Sequence, residues 1–177
     1  MAITTGKPQV AGGAWIAPSG TTVPTDATSA LATEFKSLGF LSEDGLTNDD
    51  NVTSEGIKDW SGETQETIVT EHEDKWGCTL ISYDDANVMK FIYGSANVTT
   101  DTDGSVKSIT STGSNAEEHV LVFEMIQLNG KKHRVVIPRA KITERGTVTY
   151  KASEAVGHEI TITGLADNGS THKEFWG

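Results

Sequence analysis

Residues 119–128 (HVLVFEMIQL) constrain the fold more than any other stretch of the chain, because they carry apolar side chains on both faces of a predicted strand. The alternation has the two-residue period of a β-strand, and its two apolar sets are Val120, Val122, Ile126 and Leu128 against Leu121, Phe123 and Met125. A strand that is apolar on both faces must be covered on both. The chain is therefore expected to build its core around this strand.

Further strands are predicted on either side of residues 119–128. The dipeptide Asn129-Gly130 favours a two-residue hairpin turn, followed by a return strand over Lys131–Ile137 that Pro138 ends. Short strands around Val98 and Val106–Ile109 are expected to meet at a turn at Asp103-Gly104. The other predicted strands are Lys75–Ser82, Ala140–Arg145, Gly146–Ala152 and His158–Thr163.

Two helices are predicted. Ser82 and Asp85 form a Ser-x-x-Asp capping pattern before the helix Ala86–Tyr93, whose apolar stripe is Val88, Phe91 and Ile92 and which ends at Gly94. An earlier helix is expected over Ala27–Leu38, where Asp26 provides a cap. Its apolar residues Leu31, Phe35 and Leu38 have helical spacing.

The remaining segments are polar. Residues 1–13 and 164–177 are predicted to be terminal arms, the second of which carries Phe175-Trp176. Residues 42–72 form a long acidic loop or hairpin, and Ser42–Ser54 within it is typical of a loop. The predicted fold is a single domain over residues 1–177. It is mainly β, an antiparallel β-sandwich or partial barrel with one flanking α-helix and extended arms.

Length and composition exclude several classes of protein. With 177 residues the chain can bury one core, and its single cysteine cannot form an internal disulfide. No apolar run approaches the roughly 18 residues of a membrane span. Met1–Gly13 has no apolar segment, so neither a signal peptide nor membrane insertion is expected.

The charge is unevenly distributed. The whole chain carries −11, which argues against binding to a phosphate backbone. Residues 40–75 contain eleven acidic residues and two lysines, a net charge of −9, whereas residues 120–151 contain seven basic and two acidic residues, a net charge of +5. The two segments can neutralise each other within one subunit, or they can meet between copies of the chain.

No catalytic, cofactor-binding or metal-binding pattern is found. The histidines His72, His119, His133, His158 and His172 lack metal-ligand spacing, and Cys78 falls in a strand with a core-like pattern. The sequence has neither a phosphate-binding loop nor a nucleophile elbow. We therefore expect neither an enzyme nor a cofactor.

Four stretches in the first hundred residues resemble a known family. They are GAWIAPSGTTVPTDA (13–27), LGFLSEDG (38–45), IKDWSG (57–62), and CTLIS (78–82) running into the helix at 88–94. Together they resemble the major tail tube protein of phages with long, non-contractile tails, especially those of actinobacterial hosts. The second half of the chain is similar only in its order of strands.

The resemblance implies a structural virion protein. Members of that family form rings, usually hexamers, that stack into a hollow tube with strands from each subunit in an inner barrel and the helix outside. The implied partners are copies of the chain, a tape-measure protein in the lumen, the tail terminator, the distal tail protein, and DNA that passes without specific binding. The implied location is the virion tail, after assembly in the host cytoplasm.

Three groups of residues are candidates for a self-assembly interface. Buried aromatic anchors dominate interface energetics, and complementary charges set register. Charge reversal in the basic group is expected to impair assembly and to leave the subunit folded. The candidates are Trp15, Ile16, Phe175 and Trp176 in the arms, Glu43, Asp44, Asp49 and Asp50 in the acidic group, and Lys131, Lys132 and Arg134 in the basic group.

Two other functions remain open from the residues alone. A monomeric β-sandwich that binds a ligand or decorates a virion would need an aromatic platform, for which Trp60, Trp76 and Tyr150 are the candidates. A hydrolase would need an essential carboxylate, and the sequence singles out none.

Overall fold

The computed structural model describes residues 4–8, 12–113 and 117–177. This part contains one α-helix, α1 (Ala86–Tyr93), a short 3₁₀ turn over Ser95–Asn97, and eleven strands. The strands are β1 (Lys7–Pro8), β2 (Ala14–Pro18), β3 (Lys36–Ser37), β4 (Leu41–Lys58), β5 (Thr64–Leu80), β6 (Val98–Thr100), β7 (Val106–Ile109), β8 (His119–Ile126), β9 (Lys132–Arg145), β10 (His158–Gly164) and β11 (Lys173–Trp176).

Nine strands form one antiparallel sheet in the order β3-β2-β8-β9-β10-β5-β4, with β1 added beside β8 and β11 beside β9. Strands β6 and β7 form a separate pair. The predicted mainly-β, antiparallel fold with one flanking helix is confirmed. Of the predicted arm 1–13, residues 1–3 and 9–11 lie outside the described residues, and Lys7 pairs with Ile126 of β8.

Strand β8 is covered on both faces, as its sequence predicts. Leu121 and Phe123 belong to a first core, formed with α1, β5 and β10. Val120 and Val122 belong to a second core on the opposite face. The second core is closed by Phe35 and by partly buried side chains that include Trp15, Leu31 and Phe175.

Helix α1 has the predicted bounds, and its cap is Asp85. The Asp85 carboxylate accepts hydrogen bonds from the backbone N–H groups of Asn87 (2.7 Å) and Val88 (3.4 Å). The Ser82 hydroxyl, predicted to take part in the cap, instead accepts a bond from the N–H of Phe40 (3.0 Å). Val88, Phe91 and other apolar residues of the helix pack into the first core.

The helix predicted over Ala27–Leu38 does not form. Arg134 donates hydrogen bonds to the backbone carbonyls of Asp26 and Ser29, both at 2.7 Å. A helix would use those carbonyls for its own hydrogen bonds. The segment also has to place Phe35 in the second core and Leu38 in the first, on opposite sides of the sheet.

The prediction that Pro138 ends the return strand is wrong, because β9 continues through it to Arg145. Proline cannot donate a ladder hydrogen bond, and here the neighbouring strands leave room for it. The register with β8 shifts between His119 and Leu121. On the other side of β9, β10 reaches only Ala140 and β11 begins opposite Val136.

Two smaller predictions also differ from the structure. The turn at Asn129-Gly130 is a three-residue loop, because Gln127 N–H bonds to Lys131 O (2.9 Å) and Gly130 N–H bonds to Gln127 O (2.9 Å). Gly130 has a φ of 80°, the conformation that such a loop requires at its last residue. Residues 146–152 form no strand.

The segment predicted as a loop over Ser42–Ser54 lies inside strand β4, which pairs with β5 along most of its length. Its Asn and Asp residues disfavour a strand, but the partner strand supplies the hydrogen bonds. Strand β5 pairs with β10 only as far as Asp74, opposite Gly164. We call the two-stranded part beyond that point, residues 51–73, the ribbon.

Candidate assembly interface

One candidate interface is the outer edge of β4, the last strand of the sheet. No described strand pairs with that edge along Leu41–Lys58. A long open edge exposes N–H and C=O groups that another strand can pair with. The edge is acidic and carries Glu43, Asp44, Asp49, Asp50 and Glu55, all of them exposed.

A second open edge lies at the end of β9. Strand β8 pairs with β9 only up to Ala140, so no described strand pairs with that side of Lys141–Arg145. This stretch carries two basic side chains, Lys141 and Arg145, against Glu144. The sheet therefore has two open edges of opposite charge.

The four strands between these edges have one covered face and one polar face. Trp76, Ile142, Ile160 and other apolar residues of β5, β9 and β10 lie under helix α1 in the first core. The opposite face is rich in threonine. The hydroxyls of Thr143 and Thr163 form a hydrogen bond there, with the two oxygens 3.0 Å apart. Its other polar side chains include Thr47, Thr79, Glu159 and Thr161.

The ribbon exposes apolar side chains on both faces. From the register, Val52 and Val69 lie on the face that continues the first core, and Ile57 and Ile68 lie on the other. All four are 47–63% exposed. An isolated two-stranded hairpin is marginally stable in water, and this one extends roughly 25 Å beyond the sheet at 3.3 Å per residue. The ribbon thus has the character of a surface that needs a partner.

The tip of the ribbon presents a fully exposed indole, Trp60. The turn that holds it is built on Asp59, whose carboxylate accepts hydrogen bonds from the N–H of Ser61 (2.8 Å), the N–H of Glu63 (3.1 Å) and the amide of Gln65 (2.6 Å). The hydrogen bond from the Ser61 hydroxyl is the main cause that lowers the pKa of Asp59. The ionised carboxylate fixes the turn and therefore the position of Trp60.

The acidic and basic segments do not pair within the subunit. Lys75 pairs with Glu73 and His72 with Asp50, both within the hairpin. Among the described residues, no ion pair joins residues 40–75 to residues 120–151. The basic residues that do pair use other partners, as in Arg139–Glu118 and Lys151–Glu154. The acidic charge of the hairpin is left for solvent or another molecule.

Three of the predicted anchor residues contribute to the subunit's own packing. Ile16 is buried in the first core. Trp15 and Phe175 are half-buried and pack against the second core. Their role at an interface between subunits stays a prediction.

Arg134 is buried and holds the subunit together. It is 2% exposed, and its guanidinium binds Glu124 as well as the two carbonyls in the 26–29 turn. The expectation that its charge can be reversed in a folded subunit is therefore wrong. A negative side chain at this buried position would face Glu124, and breaking a buried ion pair alone costs about 3–5 kcal/mol.

The other basic candidates lie on the surface beside Trp176. Lys131 is exposed, and Lys132 exchanges both backbone hydrogen bonds with Gly177, at 2.8 and 3.0 Å. Trp176 is 58% exposed and stacks on His133, with ring centroids 4.7 Å apart. Leu128, in the adjoining loop, is 65% exposed. We call Leu128, Lys131, Lys132 and Trp176 the basic patch.

The aromatic candidates for a ligand platform are not brought together. Trp76 is buried in the first core, and Trp60 stands at the tip of the ribbon. Tyr150 instead contacts Tyr83, with ring centroids 5.9 Å apart. Among the described residues, no three His, Cys, Asp or Glu side chains form a group suited to a metal ion. Within the same residues, no helix has the length and apolar character to span a membrane.

A sequence model of phage tail tube proteins matches residues 5–176. The chain belongs to this family. The family is one of structural proteins and not a class of enzymes. Tail tube proteins assemble with copies of themselves into the tube of the virion tail, so the open edges and the ribbon are candidate contacts between copies.

Solved structures with a similar chain include the tube-terminating cap of the anti-feeding prophage, determined by cryo-electron microscopy. The two chains are 12% identical with a TM-score of 0.49, and the match covers 98% of this chain and 93% of that one. A likeness at this level carries no argument about function. No curated protein matches the sequence.

Proposed function

We propose that this tail tube protein forms hexameric rings that stack into a hollow tube, through which DNA is delivered into the host. The observation that supports this most is the pair of open sheet edges with opposite charge, on β4 and on residues 141–145. The two edges differ, so their contact is heterologous, and a heterologous contact closes into a ring when the rotation fits.

In the proposed ring, β4 of one subunit pairs with residues 141–145 of the next. Backbone hydrogen bonds across the edges give affinity. The acidic side chains of β4 meet Lys141 and Arg145, which sets direction and register. Each subunit then adds four strands, β4, β5, β10 and the end of β9, to one continuous barrel.

The two faces of these strands suggest which side lines the lumen. The first core and α1 cover one face, so a closed barrel that keeps this core intact places the helix outside. The threonine-rich face is then inside. This face carries Lys75 and Lys141, but the register places acidic Asp49, Glu144 and Glu159 on it as well. A wall of mixed charge offers DNA no purely basic array of phosphate contacts, which suits passage rather than binding. The same lumen would hold the tape-measure protein during assembly in the host cytoplasm.

The ribbon supplies a second contact in this proposal. Its acidic and apolar surface complements the basic patch, which combines two lysines with exposed Leu128 and Trp176. We propose that the ribbon of one copy docks on a neighbouring copy, with Trp60 as its anchor. The ends of the tube would meet the tail terminator and the distal tail protein.

The stretches 13–27 and 38–45 support a narrower assignment. They resemble tail tube proteins of phages with long, non-contractile tails, and of actinobacterial hosts in particular. We propose that this protein belongs to such a phage.

Disulfide cross-linking tests the proposed edge contact. Thr47, Asp49 and Asn51 of β4 lie on the same side of the sheet as Thr143, so Thr143→Cys is combined in turn with Thr47→Cys, Asp49→Cys and Asn51→Cys. Within one subunit these positions are three strands apart, about 14 Å, beyond the reach of a disulfide. The native Cys78 is buried, and burial raises the pKa of its thiol to about 12.

Oxidised assemblies should give a ladder of covalent oligomers that ends at six subunits for at least one of the three combinations. A matched control pairs Thr143→Cys with Ser108→Cys on β7, which should give monomers. If all three β4 combinations also stay monomeric while tubes form, β4 does not pair with the end of β9.

A further inference from the structure

We propose that His172 is a positioning residue, a titratable latch that fixes the direction of the ribbon on the body of the subunit. His172 Nδ1 lies 2.7 Å from Asp74 Oδ2. Asp74 is the β5 residue nearest the ribbon that still pairs with β10, so the contact lies where the ribbon leaves the sheet. The proposal concerns the isolated subunit and stands independently of how copies assemble.

Asp74 is a buried carboxylate with several hydrogen-bond donors around it. It is 1% exposed, and Asn48 Nδ2 donates to its Oδ1 at 2.8 Å. Burial works to raise the pKa of Asp74, but hydrogen bonds from His172, Thr171 and Asn48 outweigh it and hold the pKa below its ordinary value. A buried charge is tolerated only with partners of this kind.

The surrounding chain leaves room for this pair. A Cβ atom at Gly164 would lie 3.0 Å from Asp74 Oδ2 and 3.2 Å from the carbonyl oxygen of Thr171. The His172 and Trp76 rings are nearly perpendicular, with centroids 5.1 Å apart. The latch is therefore built into the base of the first core and holds the C-terminal segment against the root of the ribbon.

Further titratable groups face the latch from each neighbouring element. On β11, Glu174 Oε1 lies 3.8 Å from His172 Nε2. The other oxygen of Glu174 lies 3.0 Å from His133 Nε2 on β9. On the hairpin, Asp50 is the cross-strand partner of Asp74 and binds His72 at 2.6 Å.

These neighbours give the latch a pH dependence of definite sign. A protonated His172 ring places a positive charge beside two carboxylates, whereas a neutral ring leaves Asp74 with hydrogen bonds alone. Histidine is the side chain that ordinarily changes charge between about pH 5 and 8. Asp74 stays ionised over that range because its pKa is lowered. The latch is therefore tight while the His172 ring is charged and loosens when the ring becomes neutral.

The chain provides a matched control for this pair. His72 and Asp50 form the same contact on the same face of the hairpin, but their side chains are 40% and 43% exposed, against 19% and 0% for His172 and Asp74. Solvent-exposed ion pairs contribute little. His72 should therefore have little influence on the direction of the ribbon.

Single-molecule energy transfer in the monomeric subunit tests the latch. One dye is attached at Glu63→Cys near the tip of the ribbon, and the other at Asn87→Cys on helix α1. Between about pH 6 and 8.5, we expect the transfer efficiency of the wild-type latch to shift and its distribution to broaden. His172→Asn keeps a neutral donor near the Nδ1 position, so its distribution should be the same at both pH values. His72→Gln should behave as the wild type does.

Three outcomes would overturn the proposal. One is a wild-type distribution that does not change with pH, which decides the matter even if His172→Asn fails to fold. Another is a pH response that persists in His172→Asn. The third is a response that disappears in His72→Gln, which would assign the effect to the exposed pair.

Discussion

Arg134 Nη2 lies 2.5 Å from Glu124 Oε1, and the two side chains are only 3% and 11% exposed. The pair connects neighbouring positions of β8 and β9. The same guanidinium also binds two carbonyls of the segment that covers the second core. Arg134 therefore joins the sheet to the segment that covers the second core, and its positive charge is neutralised within the subunit.

Replacing Arg134 by alanine should destabilise the subunit. The change leaves Glu124 buried without its counter-charge, and breaking such a pair typically costs about 3–5 kcal/mol. The free energy of unfolding from denaturant titration of the monomer would measure this. Lys151→Ala is the control, because its pair with Glu154 is exposed and should contribute less than about 1 kcal/mol. Equal stabilities of the two variants would show that Arg134 is not needed for folding.

Reversing the charge at Lys131 and Lys132 should impair assembly and leave the subunit folded. Both lysines belong to the basic patch, and neither has an ion-pair partner among the described residues. The change should raise the protein concentration needed for tube formation, and the difference should shrink as salt screens the charges. Light scattering across protein and salt concentrations measures it. Lys107→Glu on β7 is the control for added negative charge, and an equal effect there would contradict a specific contact.

Trp60→Ala should weaken assembly more than it weakens the fold. The indole makes no packing contribution to the body, so the free energy of unfolding should change by less than about 0.5 kcal/mol. As an interface anchor it should cost at least about 1.4 kcal/mol, or a tenfold rise in the concentration needed for assembly. Tyr150→Ala removes an exposed aromatic from the body and serves as the control. If the Trp60→Ala protein forms tubes at the same concentration as the wild type, Trp60 is not an interface anchor.

Asp85→Ala should destabilise helix α1 by about 1 kcal/mol, the usual cost of removing an N-cap side chain. Its carboxylate bonds two N–H groups of the first turn, and Ser82 does not replace it. Thermal unfolding of the monomer provides the measurement. Asp84→Ala, next to the cap, should have a smaller effect. The reverse order would place the cap at Asp84.

Local patterns in the sequence predict the elements that need no distant partner. The α1 helix follows from Asp85, its apolar stripe and Gly94. The covered β8 strand follows from its two apolar faces, and the β6–β7 pair follows from the turn at Asp103-Gly104. In each case short-range propensity and burial favour the same structure.

The elements that the sequence mispredicts depend on contacts from far along the chain. Residues 27–38 have helical spacing, but the carbonyls that a helix needs are bound by Arg134. Strand β4 has the composition of a loop, but its backbone hydrogen bonds with β5 hold it as a strand. Pro138 is accommodated because β10 ends and β11 begins on either side of it.

The candidate interface was only partly predictable for the same reason. The acidic and basic segments are visible as counts of charge. The open edge of residues 141–145 depends on where β8 stops, and the latch at Asp74 depends on His172, 98 positions away. From the sequence, Trp60 was a candidate for an aromatic platform that binds a ligand. In the structure, the paired hairpin places it at the tip of the ribbon instead.

The most direct test of the account is a cryo-electron microscopy reconstruction of the purified protein at high concentration, with other tail components supplied if needed. We expect a hollow tube of stacked rings in which β4 of each subunit is hydrogen-bonded to residues 141–145 of the next and α1 lies outside. A protein that stays monomeric under these conditions, or a tube in which the edge of β4 remains unpaired, would contradict it.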